Sequence, residues 1–282
     1  MIEIVRAGAL TTVQDLGRPG WAHLGVPRSG ALDQPALRRA NRLVGNPDGH
    51  AGLETTLTGC AVRLHRDSIV AVTGAVARLR IGGANAEPGV PVPTPAGTLV
   101  EIGPARSGVR SYLAVAGGIA VEAVLGSRST DTLSGLGPPP VRDGDLLPLG
   151  AAGTVPPADV CGPPPPTPPV LELPVILGPR ADWFTPAAIR TLLTTPYTVS
   201  TMSNRVGVRL TGAALARARH DELPSEGIVL GAVQVPSDGQ PLIFLADHPT
   251  TGGYPVIAVV PDVTPLAQAR PGTTVRFRGP QR

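Results

Sequence analysis

Polar side chains able to act on a substrate gather in four separate stretches of this sequence. Gln14, Asp15, Arg18, Ser29 and Asp33 lie in a glycine- and proline-rich run over residues 11–33. Arg110, Tyr112, Ser127, Arg128, Thr130 and Asp131 follow in RSYLAVAGGI and LGSRSTDTLSG. Asn204 and Arg205 stand in SNRVG, and residues 223–255 hold Ser225, Glu226, Gln234, Gln240, Asp247, Thr250, Thr251 and Tyr254. An arginine between serines, next to Gly126, offers a fork of N–H donors beside backbone amides. That set holds a carboxylate, a phosphate or an oxyanion; the same hydroxyls can instead cap their own loop. Arg128 with the backbone of Gly126 and Ser127, or Arg205, are the candidate donors where negative charge develops in a reaction. Glu226 reads as a general base or as a solvated turn carboxylate. Tyr254, beside the paired glycines of TTGGYP, donates to a substrate oxygen or to a backbone carbonyl.

Composition removes several chemistries. All 24 basic residues are arginine. A chain without lysine has no Walker A loop, no pyridoxal Schiff base, no biotinylated lysine and no lysine base for a serine amidase. The net charge is only +3 and the arginines are scattered without aromatic neighbours, so nucleic acid is not an expected partner. Cys60 and Cys161 match no metal or redox spacing, the five histidines stand alone, and no metal site is expected. GxSxG, HExxH and CxxC are all missing. The first residues, MIEIVRAGAL, lack the apolar core of a secretion signal, and no apolar run approaches the roughly 18 residues of a membrane span. The expectation is a cytoplasmic chain with reduced thiols.

The elements that must position these groups are mostly strands. The 282 residues are 42% hydrophobic and only 3% aromatic, and Gly 35 and Pro 34 punctuate short apolar runs. That pattern predicts a β-dominated fold of small barrels or sandwiches. The run over 11–33 has neither a helical nor a strand period and reads as an ordered functional loop, anchored by Trp21, Leu24 and Val26. Asp33 caps a predicted helix ending at Gly45; Thr185, with Pro186 behind it, caps a second; a third, short one follows Thr264. Residues 151–169, with four consecutive prolines at 163–166, read as a stiff tether. It divides an N-terminal domain, 1–150, from a C-terminal domain, 170–282. Residues 68–83 read as two strands joined at a Thr-Gly turn, and the same cadence returns in 197–212, about 130 residues later. Similar offsets relate 141–150 to 269–278, and 108–119 to 239–257, which suggests duplication of a β-rich unit.

The segments TTVQDLGRPGW, GVPRSGALD, LVGNP, RSYLAVAGGI, LGSRSTDTLSGLG, SNRVG, LPSEG and DGQP occur in this order along the chain. Together they resemble the allophanate hydrolase subunit 2 family, which also contains the C subunit of bacterial 5-oxoprolinase, the KipA regulator and part of the carboxyltransferase domain of urea carboxylase. The resemblance implies a mainly β fold of two cyclophilin-like β-barrel units related by duplication, with a few short helices. It implies a subunit 1 (KipI-like) partner, often in a heterotetramer, and in the 5-oxoprolinase system a third subunit of the LamB/YcsF type. The implied activity is ATP-dependent opening of a lactam or amide, 5-oxoproline to glutamate. Alternatives are a carboxyltransferase using carboxybiotin carried by another chain, or a KipA-like regulator that sequesters a kinase inhibitor. Within the matching segments the catalytic candidates are Ser127, Arg128, Arg205 and Glu226. The substrate-binding candidates are Gln14, Asp15, Arg18, Ser29, Arg110, Asn204, Gln234 and Tyr254. Where the family pattern reads Gln-Thr-Thr-Gly-Gly-Tyr-Pro, this chain has Pro249, which removes an amide donor.

Overall fold

Short apolar runs ended by glycine and proline make strands, and the chain is mainly β, with two α-helices among the described residues. The structure, a computed structural model, describes residues 1–153 and 168–279. The backbone groups into two compact units. The first holds Met1–Arg18 and the described residues from Ser29 onward; the second holds Pro19–Arg28 and the described residues from Pro168. Most of the tether expected over 151–169 lies outside the described residues.

In the first unit one long strand, Leu99–Val115, pairs with Gly52–Thr56, Ala61–Leu64 and Ser68–Ile81. Its two faces are both covered. Leu113 and Val115 join the main core with Ile4, Leu53 and Val72. Tyr112 and Ala114, one residue out of phase, pack with Leu37 and Leu43 of the helix Gln34–Leu43. The period of two in a strand puts alternate residues in different layers, and here each layer is apolar. Asp33 caps that helix as expected, its carboxylate accepting from Ala36 N at 3.0 Å.

Three local expectations are corrected. Residues 68–81 form one strand rather than two joined by a turn. Gly74 has φ +88° and sits at a shift of register against Leu99–Val115, so the glycine makes a bulge. A Cβ there would lie 2.3 Å from Arg110 O. Thr11–Gln14 is a strand with all four residues buried, paired to Gly52–Thr56; its polar side chains disguised it as loop. Leu24 is 62% exposed and does not anchor the opening run, whereas Trp21 and Val26 are half-buried.

The second unit curls one sheet, and the two edges of its strand order belong to neighbouring parts of the chain. Val170–Pro174 pairs in parallel with Thr274–Arg278, and Ile176–Leu177 pairs with Val256–Val259 at the other edge. Val175, buried between them, marks the place where one stretch passes from edge to edge. The cadence at 197–212 is met here by two paired strands, Tyr197–Val199 and Gly207–Thr211. The helix Pro186–Thr194 is capped by Thr185, whose Oγ1 accepts from Ala188 N at 3.1 Å. The segment after Thr264 is a 3-10 turn, Thr264–Gln268.

Candidate functional site

The strand Thr11–Gln14 delivers Gln14 and Asp15 to the loop at 124–137, which lies against its free edge: Thr130 N donates to Val13 O at 2.9 Å. Asp15 is the centre of this contact. Its carboxylate accepts from Ser127 Oγ at 2.6 Å, Ser129 Oγ at 2.5 Å, Arg128 N at 2.6 Å and Gly17 N at 2.7 Å. Arg18, 1% exposed, donates to the carbonyls of Val124 and Ser129. Ser29 Oγ and Gln14 Nε2 both donate to Thr130 O, at 2.8 and 3.0 Å. The structure therefore brings Gln14, Asp15, Arg18, Ser29, Ser127 and Arg128 together. It does so as a clasp whose hydroxyls and amides bind one another: Ser127 N donates to Val124 O and Arg128 N to Asp15. Of the two backbone donors expected to face an anion, those of Gly126 and Ser127, the Ser127 N–H is spent within the loop. The Arg128 guanidinium lies outside the clasp and donates from Nε to Val121 O at 2.8 Å. Gln14 Oε1, Thr130 Oγ1 and Asp131 Oδ2 are buried acceptors without a donor among the described residues.

Arg110 joins a second buried set. Its Nε lies 3.6 Å from Glu54 Oε1, while Glu54 Oε2 accepts from Tyr112 Oη at 2.8 Å and Leu32 N at 3.0 Å. Tyr112 Oη in turn accepts from Asp33 N at 2.8 Å. Burial, then the nearby carboxylates of Glu54 and Asp33, push the Tyr112 phenol well above its ordinary range. It stays an O–H donor, tying the end of the opening run to the long central strand. Glu54 escaped the sequence reading; its only signal is a charge at an inward position of GLETT.

In the second unit Arg205 and Asp247 form a fully buried, two-pronged pair with both N···O distances 2.9 Å. Such a pair fixes two loops and leaves neither group facing solvent. Asn204 caps its own turn, its Oδ1 accepting from Val206 N at 2.8 Å. The groups that do reach the surface surround a two-stranded ribbon, Glu226–Gly227 with Thr251–Gly252. Glu226 is paired with Arg180 through both oxygens, and that bond holds its carboxyl below the usual carboxylate range. Gln234 Nε2 donates to Tyr254 O at 3.0 Å and lies where a Cβ on Gly252 would meet it at 2.8 Å, so a side chain there would displace the amide. Tyr254 is 46% exposed, with the Arg217 guanidinium 5.7 Å from its ring centre. An ionised carboxylate, a phenol and arginines can hold a small polar molecule by its oxygens and N–H groups, while the Gln234 amide is buried beneath them. Among the described residues no cluster of side chains has the make-up of a metal site, and no helix is long and apolar enough to cross a membrane.

Two curled β units with these clustered polar loops define a class. The sequence model of the carboxyltransferase domain, subdomains A and B, matches residues 24–279, and the chain belongs to that family. Within it, the chain is 40% identical to the C subunit of 5-oxoprolinase from Escherichia coli (strain K12), over 98% of this chain and 90% of that protein. It is 34% identical to the urea amidolyase of Lachancea kluyveri, over 98% of this chain but 17% of that much longer protein. The solved structure of the Kluyveromyces lactis urea carboxylase overlays with a TM-score of 0.91 at 31% identity, covering 98% of this chain and 27% of that one.

Proposed function

We propose that this chain is the C-type subunit of an ATP-dependent enzyme that opens 5-oxoproline to glutamate, acting in a complex with a subunit 1 (KipI-like) partner and a LamB/YcsF-type subunit. One observation carries the reading: the likeness to the C subunit of 5-oxoprolinase runs the length of both proteins, whereas the urea amidolyase match is to a small part of a fused chain. The chemistry asks for activation of the lactam carbonyl, attack by water and fission of the C–N bond. Fixed donors must meet the oxygen on which charge develops. The second-unit face beside Glu226 and Tyr254 supplies polar groups that are within reach of solvent. Glu226, already ionised and with its proton affinity lowered by Arg180, suits holding an N–H or a cation better than drawing a proton from water.

This chain has no P-loop lysine for a nucleoside triphosphate. No lysine exists to reach a phosphate, and the N-termini of both α-helices are closed by their own caps, Asp33 and Thr185. In this reading the nucleotide belongs to another subunit. A second reading is favoured by the family match and the urea carboxylase overlay: carboxyl transfer from biotin carried on another chain. Co-expression with candidate partner subunits, followed by assay with 5-oxoproline and ATP, separates the two. Glutamate and ADP formed in equal amounts without bicarbonate support the first reading. ADP formation that requires bicarbonate and a biotinylated protein, with no glutamate, replaces it by the second.

A further inference from the structure

The pairing of Ser68–Ile81 with Leu99–Val115 comes apart in its middle. Gly74 faces Ser111 and Leu79 faces Ile102, so five steps along one strand answer nine along the other, across three shifts of register. Bulges of this kind re-aim side chains, and this one carries Arg106 at the surface. Nearby the chain turns back on itself: Ala84–Ala86 pairs with the end of Ser68–Ile81, Asn85 facing Arg80. The bulge and this hairpin share a cleft of about 260 Å³, lined by Arg78, Asn85 and Arg106 together with Val76, Leu79 and Ala86. Its polar side chains are of one kind. Asn85 Oδ1 is the only side-chain acceptor in the lining, and it takes both Nε and Nη2 of Arg78, at 3.2 and 3.0 Å. What remains are N–H groups: the Asn85 NH2, the far edge of the Arg78 guanidinium, and Arg106. Two of these groups carry a full charge, and no carboxylate lines the cleft. Val76, 41% exposed, gives it an apolar wall within reach of solvent.

We propose that this cleft binds a small aliphatic carboxylic acid, its carboxylate held by Arg78, Arg106 and the Asn85 amide and its hydrocarbon tail laid on Val76 and Ala86. A carboxylate brings only acceptors and answers the charge of the arginines. An inorganic anion would meet the donors but leave the apolar wall wet, and a neutral alcohol would cover the wall but leave the charge unmet. The cleft is smaller than the roughly 300 Å³ at which sites for drug-sized molecules begin, which suits an acid of about six carbons. All its lining residues belong to the first unit, whereas Glu226 and Tyr254 belong to the second. The inference therefore stands without the 5-oxoprolinase reading.

The test is an NMR titration of the full chain, isotope-labelled in its valine methyl groups, with hexanoate as the probe. The Val76 signal is identified as the one missing from Val76→Ala. The expected result is a saturable shift at Val76 with a dissociation constant of about 1 mM. Hexyl alcohol, the tail without the charge, and inorganic phosphate, the charge without the tail, each bind at least about 10-fold more weakly. Arg78→Ala and Arg106→Ala each weaken hexanoate about 3- to 10-fold, between the worth of a solvated ion pair and that of a charge-assisted hydrogen bond. Val76→Glu, which sets a carboxylate inside the cleft, abolishes the binding. The three substituted side chains are exposed, and melting curves check that each variant is folded. If an alanine variant melts early, Arg78→Gln or Arg106→Gln carries the measurement. A Val76 signal that never saturates, or unchanged hexanoate affinity in both arginine variants, overturns the site. Either control binding as tightly as hexanoate overturns the carboxylic acid as its ligand.

Discussion

Replacing Asp15 by alanine tests whether the clasp of the first unit is structural. The carboxylate is 6% exposed and accepts four hydrogen bonds, two of them from the fully buried Ser127 and Ser129 hydroxyls. Each buried donor left without an acceptor costs about 1–3 kcal/mol. The two hydroxyls can turn toward other oxygens, but Arg128 N and Gly17 N cannot. The sum for Asp15→Ala is therefore about 3–5 kcal/mol, a large part of the roughly 5–15 kcal/mol that holds a domain folded. In melting temperature this is a fall of roughly 10–15 °C. Asp15→Asn is the sharper variant. Its carbonyl, placed at the Oδ1 position, keeps three of the four bonds, and only its NH2 is set against Arg128 N; the expected loss is about 1–3 kcal/mol. The assay is thermal and urea unfolding of this chain in its complex, with turnover measured at a temperature where both variants remain folded. Activity per folded complex should stay near the wild-type value. An alanine variant within about 1 kcal/mol of wild type would refute the hydrogen-bond reasoning. A stable but inactive asparagine variant would move Asp15 from scaffold to chemistry.

Three further outcomes are expected. Gly74→Ala forces a Cβ to 2.3 Å from Arg110 O at a positive φ, and should cost at least about 2 kcal/mol in urea unfolding; an unchanged midpoint would mean the bulge can relax. Burial pushes the Cys60 thiol up to about 11, so its tryptic peptide should remain unalkylated by iodoacetamide at pH 8 until denaturant is added. Burial, and secondarily the charge of Arg128, lowers the pKa of His50 below its ordinary 6.5. The unfolded chain then takes up a proton that the folded one refuses, so stability is complete above that range and declines as pH falls through it. Melting curves from pH 7.5 to 5 should show a steeper decline for wild type than for His50→Gln, and parallel curves would remove His50 from the account.

Local punctuation made some elements readable from the chain alone. Asp33 and Thr185, each ahead of a proline-led apolar period, predicted both helices because side-chain caps act within a single turn. The same punctuation misled at Gly74. A glycine with positive φ serves a turn and a bulge equally well, and only the 17-residue partner strand Leu99–Val115 decides between them. Thr11–Gln14 was hidden because its polar side chains are buried against a loop more than 110 residues away. The gathering of Asp15, Ser127 and Arg128 was legible as candidates but not as a clasp, since nothing local says that a carboxylate faces the donors. Glu226 was legible as a charge but not as part of a strand, and its partner Arg180 lies 46 residues earlier, beyond any local pattern.

The strand Thr274–Arg278 lies inside the second sheet, between Val170–Pro174 and Tyr197–Val199. On the ribosome it is made after every other strand of that sheet. Until it leaves the exit tunnel, residues 170–174 have no neighbour to bond and the ring of strands stays unlatched. Closure of the second sheet therefore waits for residues 274–278, and a chain without them exposes an open sheet edge to whatever chaperone is near.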